Sequence, residues 1–291
     1  MILFKNHTAE QLAEQLQPLG ADLRLARQLQ SQVLRHGGEV PTQWPGIRRE
    51  VLAQIRTHTQ IPRLHILEKA VSSVDGFAKY LFQGEGPEPF EAVRIPLLHR
   101  PGDEKYIVCV SSQVGCAMGC VFCATGKMGF RRNLAAWEIV DQVLQIRDDS
   151  PYPVRGVVFM GQGEPFLNYE RVIQAAQVLC DPSGPAINGR AITISTVGIV
   201  PMIRRFTREG WPFRLIVSLT AADSEKRRTL LPVEGTHPLP ELFQALREYQ
   251  AAAGGRITLA WTLLRGINTT QDDAKRLAEL TQGLPILLDL I

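Results

Sequence analysis

From about residue 105 onward, six short apolar runs recur along the chain: KYIVCVSS, RGVVFMG, RAITISTVG, RLIVSLTA, RITLAWTLL and PILLDLI. Between them lie stretches whose apolar residues return every three or four positions: AAWEIVDQVLQIRDD, NYERVIQAAQVL, PMIRRFTREG, LPELFQALREYQAA and TQDDAKRLAELTQ. Runs rich in β-branched residues fit strands buried on both faces, and the three-to-four spacing fits helices laid against them. Regular alternation of the two predicts an α/β fold of parallel strands joined by crossover helices. In such folds the ligand site lies beyond the C-terminal ends of the strands.

The N-terminal part reads differently. AEQLAEQLQPLG and ADLRLARQLQSQVLRHG place leucines at helical intervals, with Gly20 and Gly37 as stops. LHILEKAVSSVDGFAKYLFQ then predicts a short β element turning at Asp75-Gly76, and the loop GEGPEP leads into EAVRIP. The pattern divides the chain into a small helical N-terminal accessory domain over 1–70, a short β extension or linker over 71–104, and the α/β domain over 105–291. The last run, PILLDLI, stops at Ile291 without the turn and helix that close such a strand, so the natural chain is expected to continue.

Composition narrows the class. At 291 residues, with 45% hydrophobic and 21% charged residues, the chain is sized for one barrel-like domain plus an appendage. No apolar run approaches the ~20 residues that span a bilayer, and MILFKNHTAE lacks the charged-then-apolar pattern of a signal segment. Those features and reduced thiols point to the cytoplasm and away from a membrane. The net charge of +3 permits a nucleic-acid partner without demanding one.

The candidate chemistry centres on Cys116, Cys120 and Cys123, spaced C-x3-C-x2-C just past the first apolar run. A structural zinc site needs four ligands, but the nearest histidine upstream is His99 and the next downstream is His237. Five cysteines, an odd number, argue against a disulfide framework. Thiolates do hold iron–sulfur clusters, and three ligands on a four-iron cluster leave one iron open to a small molecule.

Further candidates sit at the ends of the later runs. The second run ends in MGQGEP, residues 160–165, where Phe166 stands in place of the last glycine of a dinucleotide fingerprint. Its alternative reading is a tight turn at Gly163 beside the carboxylate of Glu164, suited to the ammonium of a bound amino acid. The third run brings Ser195 and Thr196 to the mouth and the fourth Ser218 and Thr220, residues that by themselves read as helix caps. Cys109 and Cys180, taken alone, read as small buried hydrophobes.

Together, CVSSQVGCAMGCVFCATGKMGFRRNL, MGQGEPFLNYERV, ISTVGIVP and the SLTA…R…LLPVEGTHPL segment resemble the radical S-adenosylmethionine (SAM) 23S rRNA adenine-C2 methyltransferases. Relatives that methylate adenine C8 and confer ribosomal antibiotic resistance share the pattern. The resemblance runs along most of the chain and implies a partial (β/α)6 radical-SAM barrel with an N-terminal domain that binds RNA. It implies a [4Fe-4S] cluster on Cys116, Cys120 and Cys123, and SAM bound by Gly163, Glu164, Ser195, Ser218, Leu219 and Thr220. It makes Cys109 the thiol that resolves a covalent protein–RNA intermediate and Glu91 a catalytic proton acceptor, displacing the bland reading of Cys109.

In that family one SAM methylates a cysteine near the C-terminus, and a second supplies a 5′-deoxyadenosyl radical that takes a hydrogen from the methyl group. The carbon radical then adds to the adenine ring. This sequence departs from the family in having no cysteine beyond the sixth run, Thr220 where histidine is usual and Gln162 for a usual methionine. The implied partners are 23S rRNA, with tRNA as a further substrate, and an electron donor such as flavodoxin; the implied state is a monomer. Arg24, Arg27, Arg35, Arg131 and Arg132 are candidates to grip phosphates, or else solvated faces. Competing readings are a radical-SAM enzyme acting on another substrate without methyl transfer, and a non-catalytic Fe–S protein that binds RNA.

Overall fold

The computed structural model describes residues 1–97 and 101–291; His99 lies outside them. At the N-terminus, β1 (Ile2–Leu3) is followed by helices α1 (Ala9–Leu16), α2 (Leu23–Gln30) and α3 (Arg49–His58), and β2 (Thr59–Gln60) pairs in parallel with β1. Four strands come next: β3 (His65–Val71), β4 (Ala78–Gln83), β5 (Phe90–Leu97) and β6 (Lys105–Cys109). The cysteine loop and short helix α4 (Ala124–Met128) lie between β7 (Gln113–Val114) and β8 (Arg132–Asn133).

Strand and helix then alternate, through α5 (Ala136–Asp148), β9 (Val154–Phe159), α6 (Tyr169–Cys180), β10 (Ile192–Thr196) and α7 (Val200–Glu209). The chain continues with β11 (Arg214–Ser218), α8 (Ser224–Leu230), α9 (Leu239–Ala253), β12 (Ile257–Trp261), α10 (Gln271–Leu280) and β13 (Ile286–Leu290). Each of the six apolar runs contains a strand, and each periodic stretch between them a helix. The pattern does not announce α8: SEKRRTL has one apolar residue, and the helix starts where Asp223 accepts a hydrogen bond from Lys226 N at 2.8 Å. Among the described residues no helix is long and apolar enough to cross a membrane.

The chain forms two compact units. The first comprises Met1–Ser111, Asn133–Gly161 and Glu170–Ile192. Its strands run in the order β3-β4-β5-β6-β9, antiparallel as far as β6 and parallel between β6 and β9. Alternate residues seal one face: Ala78, Tyr80 and Phe82 on β4, Phe90, Ala92 and Arg94 on β5. The other face carries Lys79, Glu91, Val93 and Cys109 and stays partly open.

Helix α5 anchors this unit through buried acids. Glu138 accepts from Ala135 N at 2.8 Å and from Glu85 N at 3.1 Å. Asp141 accepts from Lys5 Nζ, from Leu64 N at 2.7 Å and from Gln145 Nε2 at 2.7 Å. Lys5 and Asp141 are both almost fully buried, and burial pulls the Lys5 ammonium below the usual lysine range against the pull of Asp141.

The second unit comprises Ser112–Arg132, Gln162–Tyr169 and Thr193–Ile291. Its strands β10-β11-β12-β13 are all parallel, with Ser195 opposite Ile216, Ser218 opposite Ala260 and Trp261 opposite Leu290. Ile194, Leu215, Val217 and Leu259 build the core, with Phe206 of α7 and Leu242 and Leu246 of α9 also fully buried. Parallel strands present all their C-terminal ends on one edge, so Thr196, Ser218 and Trp261 end at a common mouth.

Removing one partner of a buried ion pair strands the other charge. Asp141→Ala is therefore expected to lower stability by about 3–5 kcal/mol in urea unfolding. A loss below about 1 kcal/mol would mean that Lys5 reaches water in the folded chain.

Candidate cofactor site

Cys116, Cys120 and Cys123 occupy one loop of the second unit, closed on itself by backbone hydrogen bonds. Cys116 N donates to Gly129 O at 3.2 Å, Arg131 N to Val114 O at 3.0 Å, and Cys123 N to Cys120 O at 3.1 Å. Cys123 then caps α4. All three are free thiols. Burial, reinforced by the neighbouring thiols, pushes Cys120 up to about 11, and burial raises Cys116 as well. Left alone, Cys116 and Cys120 stay protonated; a multi-iron cation reverses that balance, since coordinated thiols lose their protons. Among the described residues no three His, Cys, Asp or Glu side chains converge on a single metal ion. A cluster distributes its ligands over several irons, so the donor set fits the larger group.

The strand-end residues lie in the same unit. Glu164 is buried, with Oε1 accepting from Phe166 N at 3.0 Å and Oε2 from Val197 N at 2.9 Å. Burial pushes its carboxyl up to about 7, opposed by these N–H groups and the Thr196 hydroxyl. Three donors occupy three of the four acceptor sites of the ionised carboxylate, which leaves one lone pair for a further donor. Gly163 has φ +102°, and a Cβ there would meet Gln113 Cβ at 2.6 Å and Ser112 Oγ at 2.8 Å. The glycine is thus needed for the close approach of the 112–113 segment, a requirement set by residues distant in sequence.

Thr196 behaves as a cap, accepting from Gly198 N at 3.1 Å, whereas Ser195 Oγ lies 3.4 Å from Ser218 Oγ across β10 and β11. Thr220 is the unusual member. Its φ is +59°, a left-handed conformation rare for a β-branched residue. Its hydroxyl oxygen is buried without a protein partner. An orphaned buried hydroxyl at a strand mouth is what a ligand site leaves behind.

Asn268 was invisible in the sequence pattern. It sits in the loop after β12, its Nδ2 donating to Thr220 O at 2.7 Å and Thr262 O at 2.8 Å while Oδ1 accepts from Leu264 N at 2.7 Å. A single asparagine in a loop carries no spacing signal; only the fold shows that it fixes Thr220.

Glu91 and Cys109 belong to the first unit. Lys79, Val93 and Cys109 lie opposite one another on β4, β5 and β6, and Glu91 is two residues before Val93, so all four share the open face. Glu91 pairs with Lys79 at 2.9 Å, and its backbone oxygen accepts from Ser111 Oγ. Burial pushes Cys109 up to about 11. Cys180 ends α6, also raised to about 11 by burial. Of the arginines, Arg35 donates to Pro182 O and Gly184 O and Arg27 pairs with Glu10, while Arg24 and Arg131 are exposed.

Comparison with known proteins agrees with this geometry. The Radical SAM superfamily signature matches residues 110–280, more than half of the chain. A probable RNA methyltransferase of Myxococcus xanthus is 47% identical over 99% of this chain and 80% of its own length. The dual-specificity RNA methyltransferase RlmN of Syntrophobacter fumaroxidans is 41% identical over 100% of this chain and 83% of its own. The crystal structure of a radical SAM methyltransferase from Sphaerobacter thermophilus superposes with a TM-score of 0.89 at 32% identity, covering 100% of this chain and 84% of that one. The chain belongs to the radical SAM superfamily and, within it, to the family of these RNA methyltransferases. The α/β class read from the sequence, with its partial radical-SAM barrel, is borne out.

Two outcomes follow for cluster-free protein. Glu164 binds its proton more tightly folded than unfolded, so stability is full below about pH 4.5 and falls as pH rises to 7, by about 3 kcal/mol in all. Glu164→Gln should flatten that slope in denaturant titrations at each pH; an unchanged slope would place its origin elsewhere. Asn268→Ala leaves two carbonyls and one N–H unpaired and should cost about 2–4 kcal/mol by the same measurement.

Proposed function

We propose that this chain methylates carbon 2 of adenine in ribosomal RNA, with transfer RNA as a second substrate. The observation that carries the reading is the second unit's own content: three free cysteines on one closed loop, together with the buried Glu164 carboxylate and the unpaired Thr220 hydroxyl at strand ends. The 41% identity to a relative named as a dual-specificity RNA methyltransferase supports the substrate class.

Cys116, Cys120 and Cys123 would hold a [4Fe-4S] cluster. Gly163, Glu164, Ser195, Ser218, Leu219 and Thr220 would bind SAM, the remaining lone pair of Glu164 receiving the methionyl ammonium and the Thr220 hydroxyl a polar group of the same molecule. When bound, the cluster supplies the electron that cleaves a carbon–sulfur bond of SAM and so gives access to an aromatic carbon closed to polar methyl transfer.

On the first unit, Glu91 would accept a proton from the substrate ring. Lys79 pairs with it at 2.9 Å and holds the carboxylate on the open face of the sheet. Cys109 would resolve the protein–RNA link as a thiolate, and with its thiol raised to about 11 it needs a neighbouring base to release its proton. An electron donor such as flavodoxin, a monomeric state and a cytoplasmic location complete the proposal; reduced thiols support the last.

The test is nucleoside mass spectrometry of RNA incubated anaerobically with the reconstituted, reduced natural full-length gene product and SAM. The expected product is 2-methyladenosine, absent with Cys116→Ala. Formation of 8-methyladenosine would move the target carbon, and 5′-deoxyadenosine without any methylated base would overturn the methyltransferase reading.

A further inference from the structure

Arg227 on α8 is fully buried; it lies in the SLTA…R…LLPVEGTHPL segment, where the sequence pattern gives it no role of its own. A guanidinium in a protein interior is tolerated only when its donors are taken. Here they diverge in three directions. Nη1 donates to Glu234 Oε2 at 2.6 Å, Nη2 to Val197 O at 2.6 Å and Nε to Leu219 O at 3.3 Å. Glu234 is itself fixed, its Oε1 accepting from Leu239 N at 3.0 Å at the start of α9.

Both carbonyls belong to the strand-end loops of the candidate site. Val197 follows β10, and its N–H is the one held by Glu164. Leu219 follows β11 and directly precedes Thr220. A third loop joins through the end of α8, where Leu230 O accepts from Val121 N at 3.1 Å, between Cys120 and Cys123. Gly198 makes room for this arrangement: at φ +108°, a Cβ there would lie 3.1 Å from both Leu242 methyl carbons and 3.6 Å from Arg227 Nη2. Burial works against the guanidinium charge, and its ion pair with Glu234 works for it.

We propose that Arg227 is a positioning residue for SAM: its fork sets the loops after β10 and β11 so that Glu164, Ser195 and Thr220 meet the cofactor, and ties them to the cysteine loop. The inference rests on the proposed cofactor site. Arginine is required because a lysine ammonium has no planar fork to reach two carbonyls and a carboxylate at once. The same clamp accounts for Thr220. A left-handed threonine persists only where its surroundings over-determine it, and here Arg227 holds the carbonyl before it and Asn268 its own. So held, Thr220 keeps its hydroxyl unpaired for a ligand.

The test compares reconstituted wild type with Arg227→Lys and with the double variant Arg227→Met/Glu234→Gln, which removes both charges and leaves no stranded ion. Iron and sulfide content, Tm, the electron paramagnetic resonance spectrum of the reduced cluster with and without SAM, and KM and kcat are read together. Both variants are expected to retain iron, because the cysteines are untouched. KM for SAM should rise about 10–100-fold with a smaller change in kcat, and the spectral response should need correspondingly more SAM. A wild-type KM and spectral response in the two variants would overturn the proposal. So would failure of both to fold, which would make Arg227 a stability residue. A wild type whose reduced cluster ignores SAM would contradict the proposed function itself, and this inference with it.

Discussion

Two buried side chains, one acidic and one basic, hold Val197 from its two sides. The Glu164 carboxylate takes its N–H at 2.9 Å, and the Arg227 guanidinium takes its carbonyl at 2.6 Å. Chain leaving a parallel strand loses its ladder partners, and a buried loop must find replacements for every N–H and C=O. In the second unit those replacements are side chains: Glu164, Arg227, Thr196 and Asn268. Each fixes a backbone group near a strand end, and together they leave the Thr220 hydroxyl without a partner. A mouth wired in this way is set before any ligand arrives, so binding does not have to order it.

The first unit solves a different problem with the same physics. One face of its antiparallel strands is sealed by Tyr80, Phe82, Phe90 and Tyr106, with Arg94 stacked over Tyr106 at 4.6 Å. Asp149, just past α5, ties that face down by accepting from Tyr80 Oη and pairing with Lys69 at 2.6 Å. The opposite face keeps Lys79, Glu91 and Cys109 partly in solvent. A sheet with one buried and one open face can carry partly exposed polar side chains without loosening its core.

Much of this was legible in the sequence, for physical reasons that vary by element. The six strands and their helices could be read because apolar runs and three-to-four spacings are local signals. The cysteine loop could be read because three thiols so close in sequence are a local signal. Helix α8 could not, since SEKRRTL looks like a solvated charge run and is a helix because Asp223 caps it. Arg227 lies in that run and Glu234 in the LLPVEG segment after it, and only the fold shows that the two are buried against each other. Gly163 reads as a ligand-facing turn, but its lack of a Cβ answers to Gln113, fifty residues away. Thr196 and Ser195 are neighbours of the same polar character, and only the register assigns one to helix capping and the other to its contact with Ser218.

The proposed function requires that the three-cysteine loop and the strand ends of the second unit act as one site, a cluster with an open iron that SAM would complete. Electron–nuclear double resonance on the reduced, reconstituted protein with SAM isotopically labelled at its amino nitrogen and carboxylate tests this directly. Direct ligation predicts hyperfine coupling from both labelled groups, lost on Cys120→Ala. A cluster signal with no coupling from either group would contradict the account.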